Sequence, residues 1–409
     1  MKQKKIFYAV LLALMLSFSV LPVARAADLS IIPATGWNYV GNTLTITVNG
    51  TYTISGTSTT DVIVVSPGLT NVNITLNGVN IDVSGANNVS AFNITGAAVN
   101  LTLVGDNTLR SGSNRAGLEV PEGSTLTIDG GGSLTARGGD SSGSGWREGV
   151  GIGGSGSSDN TIIINGGVVT ATSSEGAGIS GGTITINDGV VTATSGIGIG
   201  IGAGGTIIIN GGVITARPGN NPFVAGISGG AGIHGDTITI NGGVITAMGG
   251  VTGGAGIRGG TITIIGGDVT AGRFHDGYND VSITGPSVTV AAGVLSVAVS
   301  LTQSETPSYQ WYSNTTNDNS GGSPIPGATN SSFAIPANLP AGIHYYYCVI
   351  NWSAIGEIRG VIRLHSKIAA VTVGENGGGG SSSGCDAGYG LLALALMGTV
   401  PFVIRSRSL

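Results

Sequence analysis

The chain has 409 residues, of which 9% are charged and 5% are aromatic, and its formal net charge is −5 at pH 7. Glycine contributes 75 residues, and threonine, serine and asparagine supply most of the remaining polarity. This acidic, lysine-poor composition argues against a nucleic-acid-binding protein, which needs a basic surface, and the glycine content excludes helical repeats.

The first 26 residues have the three parts of a secretory signal peptide. Three lysines lie within residues 2–5, residues 6–20 form an apolar core, and residues 24–26 (Ala-Arg-Ala) fit a small-x-small cleavage site. The apolar core is short for a membrane anchor. We therefore predict that residues 1–26 are a signal peptide and that the protein is exported.

Alternating segments follow the signal peptide. Residues 43–50, 71–83 and 99–104 alternate apolar and polar side chains and end near glycine or asparagine. A period of two is typical of half-buried strands. These segments predict that a β-rich repeat region begins near Asp28.

One eleven-residue phrase then occurs five times. The first copy, TIIINGGVVTA, combines an alternating strand, an Asn-Gly-Gly turn and a second short strand. Successive copies begin between 22 and 31 residues apart, a period typical of a solenoid. The copies occupy residues 161–171, 183–193, 206–216, 237–247 and 261–271.

Comparison of the five copies assigns their faces. Asp268 replaces the first valine of the second strand, so this position is predicted to face solvent and the next residue to face inward. The isoleucine after the first threonine and the turn asparagine are each predicted to stack along the repeat axis. These are the interior isoleucines Ile162, Ile184, Ile207, Ile238 and Ile262 and the asparagines Asn165, Asn187, Asn210 and Asn241.

A third recurring piece, Ala-Gly-Ile-x-Gly, occurs at residues 177–181, 225–229, 231–235 and 255–259. A single isoleucine between glycines predicts a very short third strand with sharp corners. Three strands in each repeat of ~20–25 residues indicate a parallel β-helix. We therefore predict an all-β chain in which residues 27–285 form a parallel β-helix solenoid of about ten coils.

Few residues of the repeat region carry recognisable chemistry. Its acids are scattered, and Glu119 and Glu122, on either side of Pro121, look like ordinary turn residues. His234 lies in a segment similar to calcium-binding nonapeptide repeats, but it stands where their aspartate belongs, so we interpret it as a turn residue. We predict no catalytic residue, no metal site and no cofactor.

Three segments interrupt the compact repeats, at residues 137–160, 217–236 and 272–281. Each carries an aromatic residue, and aromatic rings can stack on sugar rings while neighbouring polar groups bond the hydroxyls. The alternative is that each ring covers the apolar side of a coil. The candidate ligand-binding residues are Trp146, Arg147, Glu148, Phe223 and Tyr278.

Aromatic residues and prolines replace the glycine repeats in residues 286–373. Trp311 precedes Cys348, and Tyr346 stands two residues before that cysteine. This pattern resembles a bacterial immunoglobulin-like domain, and the resemblance implies a small β-sandwich. Residues 294–301 carry valines where the partner cysteine would lie, so we expect Cys348 to be a buried thiol without a disulfide.

The chain ends with a glycine–serine linker, residues 374–384, and a tail, residues 385–409. The tail combines Cys385, an apolar run too short for an independent membrane span, and two arginines. It is similar to Synergistetes-type C-terminal sorting signals. The resemblance implies sorting machinery at the envelope, Cys385 as the attachment or processing site, and membrane contact only through the tail. The alternative is a membrane-retained tail with an incidental cysteine.

Residues 73–83, 100–110 and 118–136 resemble secreted β-helix proteins described as carbohydrate-binding domains. The resemblance implies a polysaccharide or cell-surface glycan as partner. We expect a non-catalytic protein of the cell surface or outer envelope that binds polysaccharide or acts as an adhesin. Two alternatives stay open, a β-helix polysaccharide lyase or hydrolase and a purely structural surface stalk.

Overall fold

The structure is a computed structural model, and its described residues form β-strands and no α-helix. The chain is therefore all-β, as the sequence predicted. The described residues are 28–140, 149–154, 159–218, 230–250, 254–273, 281–283, 287–291, 293–298, 306–354 and 358–374.

The strands are short and follow one another closely along the described chain. The N-terminal strands are β1 (Leu29–Ile32), β2 (Trp37–Val40), β3 (Thr43–Ile46), β4 (Gly50–Ser58), β5 (Val62–Val65), β6 (Val72–Asp82), β7 (Phe92–Asn93), β8 (Ala98–Val104) and β9 (Asp106–Arg110). The central strands are β10 (Leu118–Glu119), β11 (Thr125–Gly130), β12 (Ser133–Arg137), β13 (Ile152–Gly153), β14 (Thr161–Ile164), β15 (Val168–Ser173), β16 (Ile179–Ile186), β17 (Val190–Ser195), β18 (Ile201–Ile209), β19 (Val213–Arg217), β20 (Ile233–Ile240), β21 (Val244–Gly249), β22 (Ile257–Ile264) and β23 (Asp268–Arg273). The C-terminal strands are β24 (Val281–Ile283), β25 (Thr289–Ala291), β26 (Val294–Ser296), β27 (Ser308–Asn314), β28 (Ser323–Pro324), β29 (Ser332–Ala334), β30 (Gly342–Ala354), β31 (Ile358–His365) and β32 (Ala369–Val373).

Most of these strands pair in parallel with the equivalent strand one repeat further along the chain. The first stack runs through β4, β6, β8, β11, β14, β16, β18, β20 and β22. The second stack runs from the end of β6 through β9, β12, β15, β17, β19, β21 and β23. The third stack runs through β3, β5, β7, β10 and β13 into the first residues of β16, β18, β20 and β22.

The interior of the stacks is a continuous apolar core. The five repeat isoleucines, from Ile162 to Ile262, are partners in register on successive strands, and each is 0% exposed. The predicted interior ladder is therefore confirmed. Burial of the residue after each exposed valine, such as Val169 after Val168, confirms the face assignment of the second strand.

The turn asparagines form the predicted ladder. The Nδ2 atoms of Asn187, Asn210 and Asn241 each donate to the Oδ1 of the preceding asparagine, at 2.7, 2.6 and 2.6 Å. Each amide thus satisfies its neighbour along the axis. The ladder ends one coil later, where Ile265 takes the asparagine position.

Antiparallel strands cover the N-terminal end of the stacks. Strand β1 pairs antiparallel with β4, and β2 pairs antiparallel with β3. An uncovered strand edge presents unpaired backbone donors and acceptors to other chains. The two pairings place other strands beside β3 and β4, which begin the third and first stacks.

The C-terminal strands build a second apolar cluster around Trp311. This residue is fully buried and lies directly opposite Cys348 in the pairing of β27 with β30. Its Nε1 donates to the Asn330 carbonyl at 2.9 Å, and its ring stacks on Phe333. Cys348 is fully buried and is a free cysteine in the described part of the chain, as expected.

The first stack continues into the C-terminal region. Strand β31 pairs in parallel with β22, placing Ile362 beside Ile262 and Leu364 beside Ile264. Both side chains are fully buried in the same core as the repeat isoleucines. Strand β31 also pairs antiparallel with β30, so one sheet crosses the predicted domain boundary at residue 285.

Candidate functional site

A row of residues at one register position follows the third stack from strand to strand. We call it the edge row. Each member is the partner in register of the next and follows a fully or almost fully buried apolar residue. Its members are Asn93, Glu119, Gly153, Ser180, Gly202, His234, Arg258 and Arg359.

The Ala-Gly-Ile-x-Gly pattern creates this row. In β16, Ile179 is fully buried, so Ser180 at position x of the pattern faces out. The position of Gly178, just before Ile179, accepts only glycine, because a Cβ there would lie 2.6 Å from the backbone nitrogen of Thr194. The pattern therefore fixes the glycine and the isoleucine by packing and leaves position x to vary chemically.

A partly buried carboxyl lies near the N-terminal end of the edge row. Glu119 is 9% exposed, and its carboxylate accepts hydrogen bonds from Ser90 Oγ, from Asn93 Nδ2 at 3.5 Å and from Arg115 at 2.9 Å. Burial raises the pKa of the Glu119 carboxyl, and the Arg115 guanidinium opposes that shift. The cluster is held in one arrangement by charge-assisted hydrogen bonds.

Small residues occupy the middle of the edge row. Gly153 has a φ of 135°, which side-chain-bearing residues rarely adopt. Gly202 is different, because a Cβ there would make only ordinary contact, at 3.5 Å, with Ile199. Glu119 and His234 are therefore separated by three small residues, across four strand spacings or about 19 Å.

Basic groups occupy the other end of the edge row. His234 and Arg359 are half-buried and Arg258 is exposed. Burial lowers the pKa of His234 and the charge of Arg258 lowers it further, whereas the charge of Asp236 opposes both. The imidazole is therefore neutral at pH 7 and can donate or accept a hydrogen bond, while the arginines carry the charge.

The members of the edge row include hydrogen-bonding and charged groups. Glu119 is its one carboxyl, and glycoside hydrolysis ordinarily uses two. No cluster of three or more histidine, cysteine or acidic residues that could hold a metal occurs in the described residues. What the row offers is a series of hydrogen-bonding groups at regular spacing, with positive charge at one end.

A second outward surface has a different character. In the second stack, Val168, Val190, Val213 and Val244 are neighbours in register and are 44–49% exposed. Threonines follow two residues later on the same face. This surface offers uncharged valines and threonine hydroxyl groups, and it carries the ionisable side chain of Arg217 two residues after Thr215 on β19.

Trp146, Arg147, Glu148, Phe223 and Tyr278 all lie outside the described residues, as does Cys385. Their roles stay predictions.

The sequence analysis missed Glu119 and His234. Each was interpreted as an ordinary turn residue, but both stand at position x of the Ala-Gly-Ile-x-Gly pattern or its looser relative at residues 116–119. The row becomes visible in the sequence when position x is aligned across all repeats, and not only the eleven-residue phrase.

Comparison with known protein families, curated proteins and solved structures finds no match for this chain. In the described part of the chain, no helix has the length and hydrophobicity needed to cross a membrane. The argument for function therefore rests on the residues themselves.

Proposed function

We propose that the three stacks are the faces of a parallel β-helix solenoid of about ten coils, and that the C-terminal strands form an immunoglobulin-like β-sandwich. Parallel pairing at a spacing of one repeat supports the solenoid. The buried Trp311 beside Cys348 supports the sandwich. In this architecture the sandwich sheet and the solenoid share strand β31.

We propose that the protein is a non-catalytic polysaccharide-binding protein and that the polymer lies along the edge row. One observation carries this proposal. Residues at position x of successive repeats are partners in register from Glu119 to Arg359. A polymer with a regular repeat can extend along successive coils, which are one strand spacing apart. The small residues Gly153, Ser180 and Gly202 leave the middle of the row without large side chains.

Affinity electrophoresis tests the proposal. The full chain is run through gels that contain xylan, β-glucan or polygalacturonate, and binding retards its migration. Gly202→Leu adds a large side chain beside Ile199 in the middle of the row without forcing a strained backbone, and we expect it to abolish the retardation. Thr192→Leu is the control, because it places the same leucine side chain at an outward position of the second stack. Equal retardation of both variants and the wild type would place binding elsewhere, and no retardation in any gel would favour the structural stalk.

The runner-up is a polysaccharide-degrading enzyme, and Glu119 is the observation that favours it. A carboxyl with a raised pKa is suited to act as a general acid. Incubation of the same polymers with the wild type and with Glu119→Gln, followed by measurement of new reducing ends, separates the two functions. Release of reducing ends that Glu119→Gln abolishes would replace binding with catalysis.

We further propose that the protein is exported and displayed at the cell surface. The support is the order of features in the sequence, with a signal peptide at residues 1–26 and a sorting-type tail at residues 385–409. Deletion of residues 385–409 should release the protein into the medium, and Cys385→Ser tests the thiol separately. Retention of the truncated chain at the envelope would exclude attachment through the tail.

A further inference from the structure

Strand β31 carries the sequence of a repeat strand, although it lies in the C-terminal region. Residues 358–360 (Ile-Arg-Gly) repeat residues 257–259 of β22. The first two residues of each triplet are partners in register, and after a one-residue shift Ile362 lies beside Ile262. Strand β31 therefore follows the last repeat in the way that a further repeat would.

The contact between β31 and β22 is close. Ile358, Ile362 and Leu364 are at most 5% exposed and pack in the same core as the repeat isoleucines. Gly360 has a φ of 144°, and a Cβ at this position would lie 2.1 Å from the carbonyl oxygen of Gly259. Only glycine therefore lets β31 approach β22 this closely.

Strands from outside the repeats cover both ends of the stacks. At the C-terminal end, β31 pairs with β22, the last repeat strand of the first and third stacks, and β24 pairs antiparallel with β23, the last strand of the second stack. At the N-terminal end, β1 pairs with β4 and β2 pairs with β3. An end that lost its cover would present unpaired backbone donors and acceptors beside the apolar interior.

We infer that β31 is an autoinhibitory cap, which occupies an edge of β22 that otherwise joins the protein to a second copy of itself. The second copy fits because its own β22 edge carries the same backbone groups and the same fully buried isoleucines, Ile262 and Ile264. This inference is independent of the ligand proposed for the edge row.

The covered N-terminal end limits the size of the assembly. Strands β1 and β2 remain on β4 and β3 in each copy, so two uncovered β22 edges can meet only each other. Two identical edges pair about a two-fold axis, and such an interface is closed. Release of β31 therefore produces a dimer and not a filament.

The oligomeric state of the full chain tests the inference, measured by size-exclusion chromatography with light scattering. The wild type should be a monomer. Gly360→Ala should double the mass, because its Cβ collides with the Gly259 carbonyl and alanine rarely adopts the required φ, so that β31 separates from β22. Gly342→Ala is the matched control and should stay a monomer, because Gly342 has a φ of 140° but a Cβ there meets no atom within 4 Å.

A second pair of variants releases β31 by burying a charge. Ile362→Asp places a carboxylate in the shared core and should also double the mass. Val361→Asp is its control, because Val361 is 50% exposed on the same strand. Hydrogen exchange of the Ile257–Ile264 amides follows the β22 edge directly. In Gly360→Ala and Ile362→Asp these amides should exchange faster in dilute solution than at the concentration that favours the dimer.

Several results would overturn the inference. If both releasing variants are monomers with rapidly exchanging β22 amides, the uncovered edge does not join two copies. If both are monomers with protected β22 amides, β31 is not the strand that protects this edge. Dimers of the control variants would place the association outside the junction of β31 with β22. Assemblies larger than two copies would exclude closure at this edge, and a wild-type dimer would exclude a cap.

Discussion

The side-chain amide of Asn319 donates a hydrogen bond to the carbonyl oxygen of Ile265, with 2.8 Å between Nδ2 and O. Ile265 is the residue at which the asparagine ladder stops. The same amide donates to the carbonyl of Ser366 at 2.9 Å, and the Asn319 carbonyl lies 2.6 Å from His365 Nδ1. One loop residue thus joins the last repeat to the strand that follows it in the first stack.

Replacing Asn319 with alanine should destabilise this junction. The two carbonyl acceptors lose their donor, and an unmade buried hydrogen bond costs about 1–3 kcal/mol. Urea unfolding followed by tryptophan fluorescence measures the change. Asn38→Ala is the control, since Asn38 is exposed on β2. Equal stability of the two variants would show that the bonds of Asn319 do not stabilise the junction.

The interior ladder gives a sharper test. Ile238 is fully buried, and the next residue, Thr239, is half-buried on the outward face of the same strand. Ile238→Asp should lower the free energy of unfolding by about 4 kcal/mol or more, because it buries an unpaired charge. Thr239→Asp should have a much smaller effect. If circular dichroism melts place the two variants at the same temperature, the inward assignment of Ile238 is wrong.

The stability of the protein should fall in mild acid through His365. This residue stacks on Tyr347 and bonds Asn319. Burial lowers the pKa of His365; the Asn319 hydrogen bond and the charge of Asp318 oppose this shift, and the charge of Arg363 adds to it. The unfolded chain therefore takes up this proton at a higher pH than the folded chain does.

It follows that the stabilising contribution of neutral His365 is complete above the ordinary histidine pKa of about 6.5, and is lost as the pH falls towards the lowered folded value. Melting temperatures measured between neutral and acidic pH should fall less steeply for His365→Gln than for the wild type. His344→Gln is the control, because His344 is half-buried and so less buried than His365. A slope that changes equally in both variants would contradict the role of His365.

Cys348 should resist thiol reagents in the folded protein. Burial raises its pKa to about 12, so the nucleophilic thiolate is scarce at neutral pH. A bulky maleimide should label this thiol only when denaturant unfolds the C-terminal strands. Cys385→Ser removes the second cysteine from the assay. Rapid labelling of that variant without denaturant would mean that the Trp311 cluster is not closed.

The repeat interior was predictable residue by residue, whereas the edge row was not. Ile238 and Asn241 stand at fixed places in one phrase, and a side-chain period of two assigns their faces locally. Glu119 and His234 lie in repeats of different length, and their chemistry differs. Nothing in the local sequence shows that they share one row, because their alignment depends on how each coil closes.

The sequence by itself determined the all-β class, the stacking interval, the buried isoleucines and the asparagine ladder, since each follows from a pattern repeated in neighbouring residues. Only the tertiary structure decided that Arg258 lies beside Arg359 and that Asn319 reaches Ile265. These pairs come from segments without a common repeat, brought together when β31 adds to the first stack. The physical reason is that strand alternation is local, whereas the partner of a strand edge is chosen by backbone hydrogen bonding and burial across the whole chain.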